Sequence, residues 1–217
     1  MFKKLLAILL ACLMIPCGLA LAEAEALTSG DFEYTLNGDG SATITNYNGE
    51  ADAVTIPAEL DGHPVTAIGD YAFSVNYSLT SITFPDSLSS IGMCAFFQCE
   101  SLTSITLPDG ITSIGDSAFA VCKSLTSVTL PDGITSIGDS AFADCKSLTS
   151  VAIPDGVTSI GKWAFSYCDS LTSVTIPDSV TFMGEEVFDA CPNLTLTVSQ
   201  SSYAETYAVE NNIPYTC

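Results

Sequence analysis

Residues 102–123 read Leu102-Thr103-Ser104-Ile105-Thr106-Leu107-Pro108-Asp109-Gly110-Ile111-Thr112-Ser113-Ile114-Gly115-Asp116-Ser117-Ala118-Phe119-Ala120-Val121-Cys122-Lys123. Residues 125–146 repeat that stretch with changes only at Ile105/Val128 and Val121/Asp144. Working outward, the pair Ile-Gly recurs at Ile68-Gly69, Ile91-Gly92, Ile114-Gly115, Ile137-Gly138 and Ile160-Gly161, with Met183-Gly184 as a weaker sixth copy, always at an interval of 23. Behind each pair stands Ala72-Phe73, Ala95-Phe96, Ala118-Phe119, Ala141-Phe142, Ala164-Phe165 or Val187-Phe188. A fixed period of this length marks a repeat solenoid: one unit cannot bury both of its apolar edges, so copies stack and the stack is the core.

The physics of one unit follows from its spacing. Ile105 and Leu107 alternate as on a strand while Ser104 and Thr106 face the other way. Pro108 ends the strand because it has no amide to give to a ladder. Pro-Asp-Gly makes a turn, Ile111 and Ile114 point back inside, and Gly115 permits a tight bend or positive φ. Ala118-Phe119 and Cys122 then close the coil through about one helical turn. Successive strands are expected to lie about 4.8 Å apart in a parallel sheet, with short strands and helical turns on the other side.

The unit resembles the leucine-rich repeats of BspA-like surface proteins in its strand, its Pro108-Asp109-Gly110-Ile111-Thr112-Ser113-Ile114-Gly115 turn, its Ala118-Phe119 pair and its Cys122-Lys123-Ser124-Leu125 junction. The resemblance covers about residues 54–198, and Gly30 to Glu50 and Asp61-Gly62-His63-Pro64-Val65 are similar to that family's opening segment. It implies an extracellular leucine-rich-repeat solenoid of a kind linked to adhesion and protein binding. Phe32 to Leu36 and Ala42 to Tyr47, joined by Asn37-Gly38-Asp39-Gly40, are expected to form a β-hairpin cap within residues 27–53. Ser202-Tyr203-Ala204-Glu205 has the form of a helix capping box and places a helical cap in residues 199–217.

Residues 1–22 form a basic start, Lys3-Lys4, an apolar stretch and Ala20-Leu21-Ala22, which reads as a secretory signal peptide; the rival reading makes Cys12 a lipoprotein anchor. Removing this segment leaves Lys123, Lys146 and Lys162 against all 25 acids, a formal charge of −22. No second stretch of spanning length follows, so the mature chain is expected to be secreted or surface-associated and not inserted in a membrane. Its charge repels nucleic acid. With one histidine, His63, and no arginine, a histidine-based triad or a phosphate clamp has few parts to draw on.

Three columns of side chains follow from the register. Cys99, Cys122, Cys145, Cys168 and Cys191 share one position, held by Asn76 in the first copy. Parallel sulfurs do not converge on zinc, so these are either small buried hydrophobes or include a bridge, with Cys94 and Cys217 as further partners. Asp86, Asp109, Asp132, Asp155 and Asp178 either bond to the backbone of their own turns or form a carboxylate column for Ca²⁺. On the strand face, Ser81, Thr83, Ser104, Thr106, Ser127, Thr129, Ser150, Ser173 and Thr175 form hydroxyl columns suited to a protein or glycan, and a flat threonine array also suits ice; the alternative is an ordinary solvated face. His63 reads as a turn residue. Lys162, Trp163 and Tyr167 break the repeat locally and are candidate contacts, and Asn76-Tyr77-Ser78 and Asn193-Leu194-Thr195 match the glycosylation sequon.

These features together point to a monomeric, non-enzymatic adhesion or binding module that needs no cofactor. The rivals are an extracellular hydrolase built on two carboxylates about 5 to 9.5 Å apart, and a passive spacer.

Overall fold

A computed structural model describes residues 25–217; residues 1–22, the expected signal peptide, lie outside them. The chain begins with β1 (Leu27–Ser29), β2 (Phe32–Leu36) and β3 (Ala42–Tyr47), paired antiparallel in that order. The loop that joins β2 to β3 is closed by Asn37, whose amide donates to the Ser41 carbonyl at 2.8 Å. β4 (Ala53–Thr55), β5 (Glu59–Leu60) and β6 (His63–Ile68) follow, and β6 runs parallel to β3. The hairpin thus covers the first open edge of the stack and removes a site for edge-to-edge pairing.

From there each turn of 23 residues contributes two short strands. The Ser-x-Thr positions give β7 (Ser81–Thr83), β9 (Ser104–Thr106), β11 (Ser127–Thr129), β13 (Ser150–Ala152), β15 (Ser173–Thr175) and β17 (Thr195–Thr197). The positions before each glycine give β8 (Ser90–Ile91), β10 (Ser113–Ile114), β12 (Ser136–Ile137), β14 (Ser159–Ile160) and β16 (Phe182–Met183). This second set continues β1, β2, β3 and β6 as one long sheet, parallel throughout the repeats. The Ser-x-Thr set is instead divided into β4–β7, β9–β11 and β13–β15–β17–β18, where β18 is Tyr215–Thr216.

The third side of the coil is built of hydrogen-bonded turns. Ser117, Phe119 and Val121 donate to the carbonyls of Asp139, Ala141 and Ala143 one turn on, at 2.7, 2.9 and 2.7 Å. Two non-glycine residues per turn hold positive φ to permit this, such as Ser117 (54°) and Val121 (65°). Alternate amides aimed at the neighbouring turn, with Ala118 and Ala120 donating to the Gly115 and Ser117 carbonyls between them, take the place of the i to i+4 bonds a helix would make.

The expected conformational freedom of the repeat glycine is not used, because Gly92, Gly115, Gly138 and Gly161 are not among the positive-φ residues. What is needed is close approach. A Cβ on Gly115 would lie 2.6 Å from the carbonyl carbon of Gly92, and one on Gly161 would lie 2.6 Å from Asp139 Oδ1. That carboxylate oxygen accepts the Lys162 amide at 2.7 Å, as Asp116 accepts from Asp139 at 2.8 Å. Ile-Gly-Asp therefore works as a unit: glycine in one turn makes room for the aspartate of the turn before.

One continuous core runs through the stack. Its axis is a column of rings, Tyr47, Phe73, Phe96, Phe119, Phe142, Phe165 and Phe188, with successive centroids 5.0 to 5.7 Å apart. Offset stacking at such distances adds to the burial of each ring. At the C-terminal end helix α1 (Tyr203–Glu210) is capped by Ser202, whose Oγ accepts the Glu205 amide at 3.0 Å. The returning carboxylate of Glu205 accepts from Ser201, one residue earlier than the usual capping box predicts.

Candidate binding face

The Ser-x-Thr strands hold their central residue inward and both hydroxyls outward. Ser104, Thr106, Ser127 and Thr129 are exposed around buried Ile105 and half-buried Val128, and the register sets Ser127 against Ser104 and Thr129 against Thr106. Ser81 and Thr83 continue the columns at one end, and Ser150, Ser173 and Thr175 at the other, with Ala152 interrupting the threonine row. Among the described residues none of these nine hydroxyls donates a hydrogen bond within the chain. Between β7 and β9, where ladder pairing is broken, lies an open depression of about 300 Å³ bordered by Ser81, Thr83, Phe84, Asp86, Ser104 and Thr106.

Neighbouring hydroxyls behave differently. Thr126 sends both its amide and its Oγ1 to the Thr103 carbonyl, at 2.8 and 3.0 Å, and Thr172 does the same to Thr149 at 2.9 and 3.1 Å. On the opposite side of the turn, Thr135 and Thr158 bond in the same way to Thr112 and Thr135. These threonines hold the stack together, a role the spacing alone does not reveal because their side chains are as exposed as those of the free columns.

The cysteine column is buried and built from free thiols: Cys99, Cys122, Cys145 and Cys168 are buried, Cys191 half-buried, and none is bridged. Each sulfur donates to the carbonyl of a phenylalanine in the preceding turn, Cys122 to Phe96 and Cys145 to Phe119, both at 3.3 Å. Asn76 fills the first position by accepting the amides of Ser78 and Leu79. Burial pushes the Cys99 thiol up to about 12, and holds Cys122 and Cys168 well above the ordinary thiol value. The side-chain interaction with Cys168 moves the Cys191 thiol the other way. Cys217 is exposed and free.

The aspartates after the prolines do not bond to their turns as expected. The turn is closed by backbone alone, Ile111 donating to the Pro108 carbonyl and Ile134 to that of Pro131, at 3.1 and 3.2 Å. Their carboxylates stand in solvent, and among the described residues no three His, Cys, Asp or Glu side chains converge as metal ligands. His63 lies in β6, where Nδ1–H donates to the Gly40 carbonyl at 2.9 Å and ties the hairpin to the first turn. The Trp163 departure is a brace rather than a free aromatic: its Nε1 donates to Glu186 at 2.7 Å and the Lys162 ammonium sits 4.1 Å from its ring centroid.

Two strands and a glycine-tight corner per turn, a phenylalanine column and a cysteine junction define the repeat. The sequence profile of the BspA type leucine rich repeat region matches residues 66–195 in six copies. The chain belongs to that family. Among solved BspA-like or other leucine-rich repeat proteins, the T. pallidum protein is 35% identical, with a TM-score of 0.76 over 81% of this chain and 82% of its own. A leucine rich cell surface protein from Faecalibacterium prausnitzii is 36% identical with a TM-score of 0.69, over 84% of this chain and 56% of its own. A Bacteroides ovatus repeat protein is 31% identical with a TM-score of 0.73, over 79% of this chain and 46% of its own. Comparison with curated proteins finds no match. No helix among the described residues is long and apolar enough to cross a membrane.

Proposed function

We propose that this BspA-type repeat is a secreted or cell-surface, non-enzymatic binding module that presents its Ser-x-Thr face to an extracellular protein or glycan. The observation that carries this reading is the contrast between columns. Thr126 and Thr172 direct their hydroxyls to the backbone, whereas Ser104, Thr106, Ser127 and Thr129 stand exposed with both donor and acceptor capacity unused. A neutral hydroxyl array repeated at the turn spacing suits a ligand with repeated polar groups, and affinity then comes from shared area and many modest contacts.

The signal-peptide pattern of residues 1–22 and the cell-surface description of the Faecalibacterium relative support the location. No cofactor is required and the module acts as a monomer. Ca²⁺ along the Asp109 column would instead give a calcium-dependent rise in Tm. The test is a combined glycan and protein array, run with the secreted chain and with the Thr106→Lys/Thr129→Lys variant. A ligand retained by the first and lost by the second, at unchanged Tm, supports the reading. Absence of any ligand, or equal binding by both proteins, overturns it.

A further inference from the structure

Every turn of the outer ladder aims its amide donors the same way. In the fifth turn Trp163, Phe165 and Tyr167 donate to the carbonyls of Glu185, Val187 and Asp189, at 3.1, 2.9 and 2.8 Å. One period further on, the corresponding donors include Phe188 and Ala190, and there is no further turn to receive them. Neither amide has a hydrogen-bond partner among the described residues. Both residues line an open cavity, so their amides are donors that the fold itself leaves without a protein acceptor.

The rest of this end is closed. The C-terminal strand β18 adds in parallel to β17, its Pro214 and Thr216 carbonyls accepting from Leu196 and Val198 at 2.8 and 3.0 Å. Helix α1 lays Tyr203 and Tyr207 over the next stretch of edge, where their hydroxyls accept the amides of Met183 and Val187 at 3.4 and 3.1 Å. Beyond Tyr207 the cover stops. What remains is a cavity of about 380 Å³ with Phe188, Ala190, Cys191, Tyr207, Asn211 and Ile213 among its walls.

We infer that this cavity takes an extended peptide segment as a partial further turn, with two backbone carbonyls two residues apart accepting from Phe188 and Ala190. The preceding turns define the ligand chemistry, since each satisfies the same donors with alternate carbonyls of a parallel chain. The chain's own β18 shows parallel addition at the same end of the stack. The edge offers donors only, so its ligand must be an acceptor. A formal charge of −20 opposes a simple anion and favours a neutral or basic segment. Main-chain bonds then supply affinity as in other strand additions.

Two capped hexapeptides test this on the ¹⁵N-labelled protein. One carries the sequence of residues 162–167, Lys-Trp-Ala-Phe-Ser-Tyr, whose first, third and fifth carbonyls already serve the fourth turn. The other carries residues 185–190, Glu-Glu-Val-Phe-Asp-Ala, which has the same carbonyl register and opposite charge. The basic peptide should give saturable shifts at the Phe188 and Ala190 amides and slow their hydrogen exchange about tenfold or more. The acidic peptide should bind about fivefold more weakly or worse, and sodium acetate should not saturate. Shifts confined to the Ser-x-Thr face, no shift with either peptide, equal binding of the two, or acetate matching the basic peptide would each overturn the proposal.

Discussion

The thiol of Cys122 lies 3.3 Å from the carbonyl oxygen of Phe96, one turn back, and donates to it. The same relation joins Cys99 to Phe73 and Cys168 to Phe142. Phe96 thus serves the stack twice, with its ring in the aromatic column and its carbonyl closed by sulfur. A position that looks like a small hydrophobe in the sequence is also a buried donor.

Replacing Cys122 separates packing from hydrogen bonding. Cys122→Ala leaves a void and removes one of the two bonds to the Phe96 carbonyl, which keeps the Cys99 amide at 3.2 Å, and should cost about 1–3 kcal/mol. Cys122→Ser returns a donor of nearly the same reach and should recover part of that loss. Urea melts of both variants decide it, and an equal cost would mean that the thiol acts by packing alone.

The buried thiols also predict alkaline lability. An unfolded thiol ionises near about 8.5, whereas Cys99 keeps its proton up to about 12. Between these values the unfolded chain binds fewer protons than the folded one. Stability is therefore fully present below about pH 8.5 and falls toward pH 12, by up to ~1.4 kcal/mol per pH unit for each such thiol. Urea midpoints measured from pH 7 to pH 11 should decline, and Cys99→Ser should flatten the decline.

Glycine substitutions should rank by what the new Cβ meets. In Gly115→Ala it would lie 2.6 Å from one backbone atom and 2.7 Å from another, neither able to swing aside. The cost should be about 3 kcal/mol, the upper range for overpacking. Gly133→Ala faces one carbonyl oxygen at 3.1 Å and should cost less, and Gly38→Ala meets nothing within 4 Å and should be near neutral. Thermal melts of the three variants check the order.

The architecture was legible because duplication exposes it: Ile114-Gly115 and Ala118-Phe119 hold register in copy after copy, and the alternation around Ile105 gives a strand without help from tertiary contacts. The corner was not legible. Val121 holds a φ of 65°, against its intrinsic preference, because its amide is tied to Ala143 in the next turn. Local propensity carries no trace of that bond. The hydroxyl columns were legible as positions only. Ser-x-Thr spacing places Thr126 and Thr129 on exposed backbone alike, and only the carbonyl of Thr103 beneath Thr126 separates a structural hydroxyl from a free one.

That separation gives the most direct test of the candidate face. Valine is nearly isosteric with threonine but lacks the hydroxyl. In Thr126→Val the hydrogen bond from Oγ1 to the Thr103 carbonyl disappears while the amide bond to the same oxygen stays, so stability should fall by about 0.5–1.5 kcal/mol. In Thr129→Val no intramolecular bond is lost and the side chain remains in solvent, so stability should change by no more than about 0.5 kcal/mol. Ligand binding should respond in the opposite sense, weakened by Thr129→Val and spared by Thr126→Val. Urea melts and array binding on the same two proteins provide both readouts. If Thr129→Val melts like Thr126→Val, its hydroxyl belongs to the scaffold and the proposed face loses its central column.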